Sequence, residues 1–558
     1  MLKRMVVAIV IALGAPAGAV VAMPPGQDTA LPRLVKQGTA TQLVVDGAPF
    51  LILGGELGNS SGEADYLRPF WPTLQALKLN TLLAPVYWDL TEPEEGRFDF
   101  SQVDGLIRDA RAHQVRLVLL WFASWKNSMS CYAPAWVKTD TRRFPRARDS
   151  SGRSLEILSP FAEQNRQADA RAFAALMRHL RDFDGDRHTV IMVQVENEIG
   201  MIPEARDRSP AADELFAKPV PSALIQYLSR LDTQLAPELR ALWAAQGRKS
   251  AGTWEQVFGP GPATDEIFTA WHFADYVQAV ASAGKAEHPL PMFVNAALIR
   301  PGYLPGQYPS GGPLPHLIDV WRAAAPSIDF LAPDIYFPNL AEWCRRYTRS
   351  GNPLFVPEAL RSIDASVNAL YAVGQHDAIG FSPFGIESAS GPAADRLAES
   401  YTLLAGLAPI VLAHQGRGTM AGLLPEGADE QRQPQHVLLG GYVLRVTYER
   451  QAGPSLAEGA VAPSGAASPA TRWPAGGLVI ATGRDEFLFA GTGVAVTFAS
   501  SAPDDTNVGI LSAEEGAYEN GQWSHLRWLS GDQTHQGRHL RLEPGRFSVQ
   551  RIRLYRYR

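Results

Sequence analysis

Eight short apolar runs, separated by longer stretches of helical periodicity, dominate the sequence between residues 50 and 385. This alternation is typical of βα units that build a parallel sheet, because a strand buried on both faces reads as a continuous apolar run. The helical period is clear where Phe100, Val103, Leu106, Ile107 and Ala110 share one face. The eight runs are Phe50–Glu56, Thr81–Trp88, Arg116–Phe122, Thr189–Glu196, Pro291–Ala297, Ser327–Tyr336, Pro353–Ala359 and Ala378–Gly385.

Eight such units predict an α/β fold, a (β/α)8 TIM barrel over residues 31–410 with its longest insertion between the fourth and fifth strands. A doubly wound open sheet shares this pattern and stays open as an alternative. After Gly416 the runs become short, β-rich and separated by turn residues, which predicts an all-β sandwich-like C-terminal domain over residues 416–558. Within it, the Ala/Gly/Pro/Ser-rich stretch Gln451–Gly477 is typical of a mobile loop.

The first 22 residues have the layout of a secretory signal peptide: Lys3 and Arg4, an apolar run from Met5 to Leu13, and then small residues. Cleavage after Ala19 or Ala22 would leave an exported protein, periplasmic or secreted, with no membrane segment. An uncleaved membrane anchor is the alternative.

Composition narrows the choice of partner and cofactor. The formal charge of -6, without a basic block, argues against nucleic acid or an anionic membrane as a partner. Cys131 and Cys344 are the only cysteines, so a disulfide-rich scaffold is excluded, while a single disulfide between them stays open. Neither cysteine lies in a metal-ligand pattern, and no structural zinc site is predicted.

Glutamates stand where three of the predicted strands end: Glu56 after the first, Glu196 and Glu198 after the fourth, and Glu358 after the seventh. The βα loops at these strand ends enclose the active site of a TIM barrel. Strand alternation predicts that Glu196 and Glu198 lie on one side, with Glu198 nearer the mouth and Glu196 behind it in a supporting role.

Strands four and seven face each other across the barrel, so Glu198 and Glu358 can flank one bond. A carboxylic acid that protonates the departing oxygen and a carboxylate that supports or attacks the anomeric carbon are the groups that hydrolyse a glycoside. Aromatic rings near strand ends could pack against the apolar face of a sugar: Trp88, Trp121, Trp125, Tyr336 and Phe384.

Two segments carry a resemblance to a known family. "MVQVENEIG" (Met192–Gly200) resembles the acid/base motif of glycoside hydrolase family 35, and "TLLAPVYWDLTEPEEGRFDF" (Thr81–Phe100) resembles its second-strand segment. The resemblance implies a retaining, exo-acting β-galactosidase with Glu198 as proton donor, Asn197 on a sugar hydroxyl and Glu358 as nucleophile. No metal or organic cofactor is implied.

Other segments depart from the usual pattern of that family. "GGELGNSSG" follows the first strand, Trp125, Lys126 and Asn127 stand near the usual sugar-binding turn, and Pro85 replaces a usual tyrosine. These features resemble bacterial exported members with a β-rich C-terminal domain, similar to β-galactosidases that trim galactose from xyloglucan side chains. "EIFTAWHFADYV" (Glu266–Val277) is also similar to family 42 β-galactosidases.

The expected partner is therefore a galactosylated oligosaccharide of plant origin. Its expected contacts are Asn197, Glu56, Trp88, Trp125, Lys126, Asn127 and Tyr336. Two alternatives remain: a retaining β-glycosidase of another specificity, such as a β-glucosidase, β-mannosidase or arabinogalactan-directed enzyme, and a carbohydrate-binding protein without catalysis. The C-terminal domain is expected to shield and support the barrel.

Overall fold

A computed structural model describes residues 30–426, 433–449, 472–502, 506–519 and 521–558. The predicted signal peptide and most of the predicted loop Gln451–Gly477 lie outside these residues.

A closed barrel of eight parallel strands forms the centre of the molecule, which confirms the TIM barrel and excludes the open sheet. Up to residue 414 the strands are β1 (Arg33–Gln37), β2 (Ala40–Val45), β3 (Ala48–Phe50), β4 (Ile52–Glu56), β5 (Thr81–Tyr87), β6 (Arg116–Lys126), β7 (Arg146–Arg148), β8 (Ser154–Leu158), β9 (Val190–Asn197), β10 (Met292–Ala297), β11 (Phe330–Ile335), β12 (Val356–Ala359) and β13 (Gly380–Pro383). The barrel strands are β4, β5, β6, β9, β10, β11, β12 and β13, and each lies within or overlaps one of the eight predicted runs.

Helices connect the barrel strands and cover the outside of the barrel. They are α1 (Ala64–Leu67), α2 (Trp71–Ala76), α3 (Trp88–Thr91), α4 (Ser101–Ala112), α5 (Ala135–Thr139), α6 (Glu163–Phe183), α7 (Pro210–Phe216), α8 (Ser222–Leu231), α9 (Pro237–Ala245), α10 (Trp254–Phe258), α11 (Pro262–Glu287), α12 (Ile318–Ala324), α13 (Leu340–Tyr347), α14 (Ala365–His376) and α15 (Gly391–His414). Five of them, α7 to α11, lie in the long segment between β9 and β10. In α4 the predicted face buries Val103, Leu106, Ile107 and Ala110.

The N-terminal strands close one end of the barrel. Strands β1, β2 and β3 form a small antiparallel sheet, and Leu43 and Val45 of β2 join the apolar cluster formed by the inward side chains Ile52, Leu83 and Ile379. These barrel residues lie towards the starts of their strands, so apolar side chains fill the N-terminal end of the barrel. The opposite end, where the strands finish, is the end at which TIM barrels place their active sites.

In the described part of the chain after the barrel, ten strands form two antiparallel sheets packed face to face. They are β14 (Met420–Leu423), β15 (Gln435–Leu439), β16 (Tyr442–Tyr448), β17 (Gly476–Gly483), β18 (Glu486–Thr492), β19 (Val494–Ser500), β20 (Asn507–Glu519), β21 (Gln522–Trp528), β22 (Leu540–Leu542) and β23 (Ser548–Tyr557). The six-stranded sheet has the order β14-β17-β18-β23-β20-β21 and the four-stranded sheet the order β15-β16-β19-β22. Leu478, Ile480 and Leu488 of the larger sheet share the apolar cluster of the barrel helices, so this region packs on the barrel.

Helix α15 is, within the described residues, the one helix long and apolar enough by length and composition to cross a membrane, which alone is weak evidence for a span. Here it packs on the barrel: the Tyr401 hydroxyl lies 2.8 Å and 2.7 Å from the carbonyl oxygens of Gly54 and Phe381. Cys131 is exposed and Cys344 buried, and both are free thiols, so the disulfide left open by the sequence is not formed.

Candidate active site

Four acidic side chains converge where barrel strands end. Glu56 ends β4, Glu198 follows β9, Asp334 lies near the end of β11 and Glu358 lies in β12. All four are at least 95% buried. Carboxylate oxygens of Glu198, Asp334 and Glu358 lie within 4.8 Å of one another. The pair predicted from the sequence is thus brought together, with a third acid beside it.

The chain bends sharply at the end of β9. Glu196 and Glu198 have φ angles of 61° and 45°, in the left-handed region that non-glycine residues rarely occupy. The β6–β9 pairing shifts register here, so that Lys126 pairs with Asn197. The expectation that Glu196 and Glu198 share one side was wrong, because this bulge breaks the alternation of a regular strand.

Glu196 supports the wall of the barrel and does not face the mouth. Its two oxygens accept hydrogen bonds from the backbone N–H groups of Ser124 (3.3 Å) and Trp125 (2.7 Å). Burial, and then the charge of Asp169 on α6, raise the pKa of Glu196. This agrees with the predicted supporting role.

Glu198 is held from two directions. Asn127 Nδ2 donates a hydrogen bond to Glu198 Oε2, and Lys126 Nζ donates to Asn127 Oδ1 at 2.6 Å. The backbone N–H of Glu198 donates to Asn295 Oδ1 at 3.0 Å. Lys126 and Asn127, predicted as sugar contacts, therefore lie beside the predicted proton donor.

Glu358 has one oxygen engaged and one without a partner. The Tyr336 hydroxyl donates to Oε1, whereas the buried Oε2 has no hydrogen-bond partner among the described residues. Burial, and next the Glu198 carboxylate, raise the pKa of Glu358 to about 7, while Lys126 and the Tyr336 hydrogen bond act in the opposite direction. The ionisation of Glu358 is thus set first by its burial and then by the neighbouring charges.

Glu56 and Asn197 carry buried polar atoms without partners among the described residues. Both Glu56 oxygens and both Asn197 amide atoms are unpaired. Burial, followed by the charge of Glu358, raises the pKa of Glu56, and Lys126 lowers it. Buried polar groups are usually hydrogen-bonded, so unpaired ones at a strand-end site are available to a ligand's hydroxyl groups.

Two predicted sugar contacts are contradicted by the structure. Trp88 and Trp125 are both 0% exposed. The Trp88 ring N–H donates to Glu92 Oε2 at 2.9 Å, and that of Trp125 donates to the Leu158 carbonyl at 3.2 Å. The Trp125 ring packs edge-on against Phe273 and Tyr276. Because β6 continues to Lys126 and α3 begins at Trp88, both rings turn into the core.

Tyr336, by contrast, is 37% exposed and can offer its ring to a ligand. It lines a cavity of about 380 Å³ together with Glu198, Asp334 and the segment after β10 that carries Arg300, Tyr303 and Gln307. A volume of this size lies within the range of small-molecule sites.

Asp334 and Asn295 belong to the site but were not predicted from the sequence. Asn295 Nδ2 donates to Asp334 Oδ2 at 2.7 Å. A signal was present for Asp334, because it stands two residues before Tyr336 in the predicted sixth strand and therefore on the same face.

The spacing of Glu198, Asp334 and Glu358 would also admit a small cation. Hydrolysis by an acid and a nucleophilic carboxylate requires no metal ion, so the chemistry of the pair gives no reason to expect one. The expectation of no metal or cofactor continues to rest on that mechanism.

Comparison with known proteins points to β-galactosidases. Residues 73–278 match the family model for glycoside hydrolase family 42, described as beta-galactosidase. A β-galactosidase from Xanthomonas manihotis is 30% identical over 167 residues, which are 29% of this chain and 25% of the relative. Residues 397–541 match a model described as a domain of unknown function (DUF5597).

β-Galactosidases are among the solved structures that match this chain. The enzyme from Rahnella sp. R3 is 16% identical with a TM-score of 0.45, and the match covers 65% of this chain and 57% of that one. The enzyme from Bacillus circulans sp. alkalophilus is 14% identical with a TM-score of 0.45 and the same two coverages. This chain therefore spans a quarter of the curated relative and little more than half of these solved chains. The matched family is 42, and the resemblance to family 35 remains a proposal.

Proposed function

We propose that this protein is a retaining, exo-acting β-galactosidase that removes terminal β-D-galactosyl residues from plant oligosaccharides or polysaccharides, such as xyloglucan side chains. The observation that carries the proposal is the buried pair Glu198 and Glu358 at the strand ends of the barrel, with oxygens within 4.8 Å. The local similarity to β-galactosidases supports the sugar.

The two glutamates take different roles in the proposed reaction. Glu358 attacks the anomeric carbon while Glu198 protonates the departing oxygen, and Glu198 then takes a proton from the water that releases the sugar. Retention is supported by the short distance, since an inverting pair stands ~6.5–9.5 Å apart to admit a water. Tyr336 holds Glu358 by its hydrogen bond to Oε1, which leaves the unpaired Oε2 free to attack.

The charge of the site favours an uncharged sugar. Glu56, Glu198, Asp334 and Glu358 surround the site, and Lys126 is the cation that acts on Glu56 and Glu358. An anionic substrate would meet several carboxyl groups in a buried, low-dielectric place. We assign sugar hydroxyl contacts to Asn197 and Glu56, whose unpaired atoms need partners.

The leaving group would occupy the cavity beside Glu198, since a proton donor must face the oxygen it protonates. Arg300, Tyr303 and Gln307 line this cavity and would contact the rest of the glycan. Within this proposal the chain is a family 35 enzyme of the exported subgroup, periplasmic or secreted.

Hydrolysis of 4-nitrophenyl β-D-galactoside beside the matching glucoside, mannoside and α-L-arabinoside tests the sugar. Galactose release from galactosylated xyloglucan oligosaccharides then tests the polymer. If the galactoside were inert while another of these glycosides turned over, the proposed mechanism would stand and the proposed galactosyl substrate would be wrong. Binding of sugars without any turnover would favour the non-catalytic alternative.

A further inference from the structure

Asp334 has no task in the proposed reaction, yet it is as deeply placed as the two glutamates. It is 1% exposed and is the direct register partner of Glu358 across the β11–β12 pairing. Its Oδ2 accepts from Asn295 at 2.7 Å, and its buried Oδ1 has no donor among the described residues. A buried carboxylate oxygen without a donor is costly and calls for an explanation.

The carboxyl of Glu198 lies beside Asp334, with one carboxylate oxygen of each residue within 4.8 Å of the other. Two ionised carboxylates repel each other, and neither can donate a hydrogen bond. A single proton between them removes the repulsion and gives Oδ1 its partner.

Asn295 fixes the geometry of this carboxyl pair. Its Oδ1 accepts the Glu198 backbone N–H at 3.0 Å while its Nδ2 donates to Asp334 Oδ2. The amide can serve both groups in one orientation only, so Asp334 Oδ2 is occupied and Oδ1 is the oxygen left for Glu198.

We propose, on the basis of the proposed function, that Asp334 is a positioning residue that shares one proton with Glu198 and thereby keeps Glu198 competent as the acid. In the first step this proton moves to the departing oxygen, which also takes the electron pair of the broken bond, while Glu358 bonds to the anomeric carbon. The negative charge lost by Glu358 on forming the ester equals that gained by the pair. In the second step water gives its proton to the pair and its oxygen to the sugar, and Glu358 leaves as a carboxylate.

Other titratable groups face this pair and are unchanged by the test below. They are Glu358 on β12, Glu56 on β4, Tyr336 after β11, Tyr347 on α13 and Lys126 at the end of β6.

The test replaces Asp334 by asparagine and compares leaving groups. The amide introduced by Asp334→Asn would donate to Glu198 without sharing a proton and would hold Glu198 in its ionised form. In this variant kcat/KM for phenyl β-D-galactoside should fall at least ~30-fold, because its poor leaving group needs the acid. For 2,4-dinitrophenyl β-D-galactoside the loss should stay below ~3-fold, and the alkaline limb of kcat/KM for the phenyl substrate should move to lower pH.

Asp319→Asn is the matched control, since Asp319 is likewise buried, at 0% exposed, and accepts from Ala236 N–H at 2.7 Å, away from the carboxyl pair. Its losses on the two substrates should be equal. Equal losses for the two substrates in Asp334→Asn, or no loss, would overturn the inference about Asp334. Turnover of these galactosides by the wild type would still support the proposed function.

A second measurement does not require turnover. Infrared spectra of the folded protein near neutral pH should lose one protonated carboxyl band in Asp334→Asn relative to both the wild type and Asp319→Asn. If Asp334→Asn retained that band, the shared proton would be wrong, whatever the activity of the wild type. If every aryl galactoside proved inert, the proposed function would be wrong, and the infrared result would still test the shared proton.

Discussion

Glu196 and Glu198 are two residues apart in the chain but serve opposite sides of the barrel wall. Glu196 accepts the backbone N–H groups of Ser124 and Trp125 and lies against Asp169 of the outer helix α6. Glu198 lies against Asp334 and Glu358 at the mouth. The bulge at Glu196–Glu198 therefore gives the two glutamates different roles: Glu196 is structural, and Glu198 lies in the candidate active site.

This division predicts opposite effects for two matched substitutions. Glu196→Ala should leave two buried N–H groups unpaired and lower the free energy of unfolding by ~2–4 kcal/mol. Glu198→Ala should leave Tm nearly unchanged but lower kcat for unactivated galactosides by ~10²–10⁴-fold. Calorimetry and kinetics on the two variants measure both effects, and a stable Glu196→Ala with lost activity would contradict the division.

Removal of the nucleophile should stop turnover. We expect Glu358→Gln to lower kcat by at least ~10⁴-fold, because the amide cannot form the glycosyl ester. Azide should restore turnover to Glu358→Gly and give the α-galactosyl azide, since it attacks from the side that Glu358 occupied. Glu342→Gln, at an exposed position on α13, should behave as the wild type. Substantial activity in Glu358→Gln would remove the assignment.

Stability should depend on pH through Glu358. Its pKa is raised to about 7 in the folded protein by burial and then by Glu198, so the folded state holds the proton more tightly than the unfolded state. The stabilisation from this proton is complete below the unfolded value near 4.5 and is lost as the pH rises through about 7. Glu358→Gln should therefore stabilise the protein more at pH 8 than at pH 5. The difference in the free energy of unfolding should be at most ~3 kcal/mol and should appear as a larger rise in Tm at pH 8. An equal change at both pH values would contradict this.

Lys126 should set the acid limb of activity. Its positive charge lowers the pKa of Glu358, and the proposed attack needs Glu358 ionised. In Lys126→Met the acid limb of kcat/KM should move upward by ~1 pH unit. Lys138→Met, which removes a half-buried lysine side chain that donates to the Cys131 carbonyl, serves as control. A limb that stays in place would show that Lys126 does not act on the nucleophile.

The barrel could be predicted because parallel strands buried on both faces appear in the sequence as continuous apolar runs. Each of the eight apolar runs contributed one barrel strand. The convergence of Glu198 and Glu358 followed from where their strands end. The small sheet β1–β3 was not predicted, since its strands are short and its role is to fill one end of the barrel.

Side-chain direction was harder to predict than strand position. The left-handed backbone at Glu196 and Glu198 has no signal in a pattern of alternation, and it reversed the expected side of Glu196. Trp88 and Trp125 stand near strand ends but turn into the core, because a helix begins at one and β6 extends past the other. The spacing of Asp334 from Tyr336 indicates its face of the strand, but a single acid within an apolar run does not indicate which other acids it will meet.

The stereochemistry of the first product tests the central claim most directly. Proton NMR of an aryl β-D-galactoside during its first minutes with the enzyme should show β-galactose appearing first, with the α anomer following by mutarotation. This result is expected of Glu358 as nucleophile and Glu198 as acid and base. α-Galactose as the first product, or no galactose at all, would contradict the account.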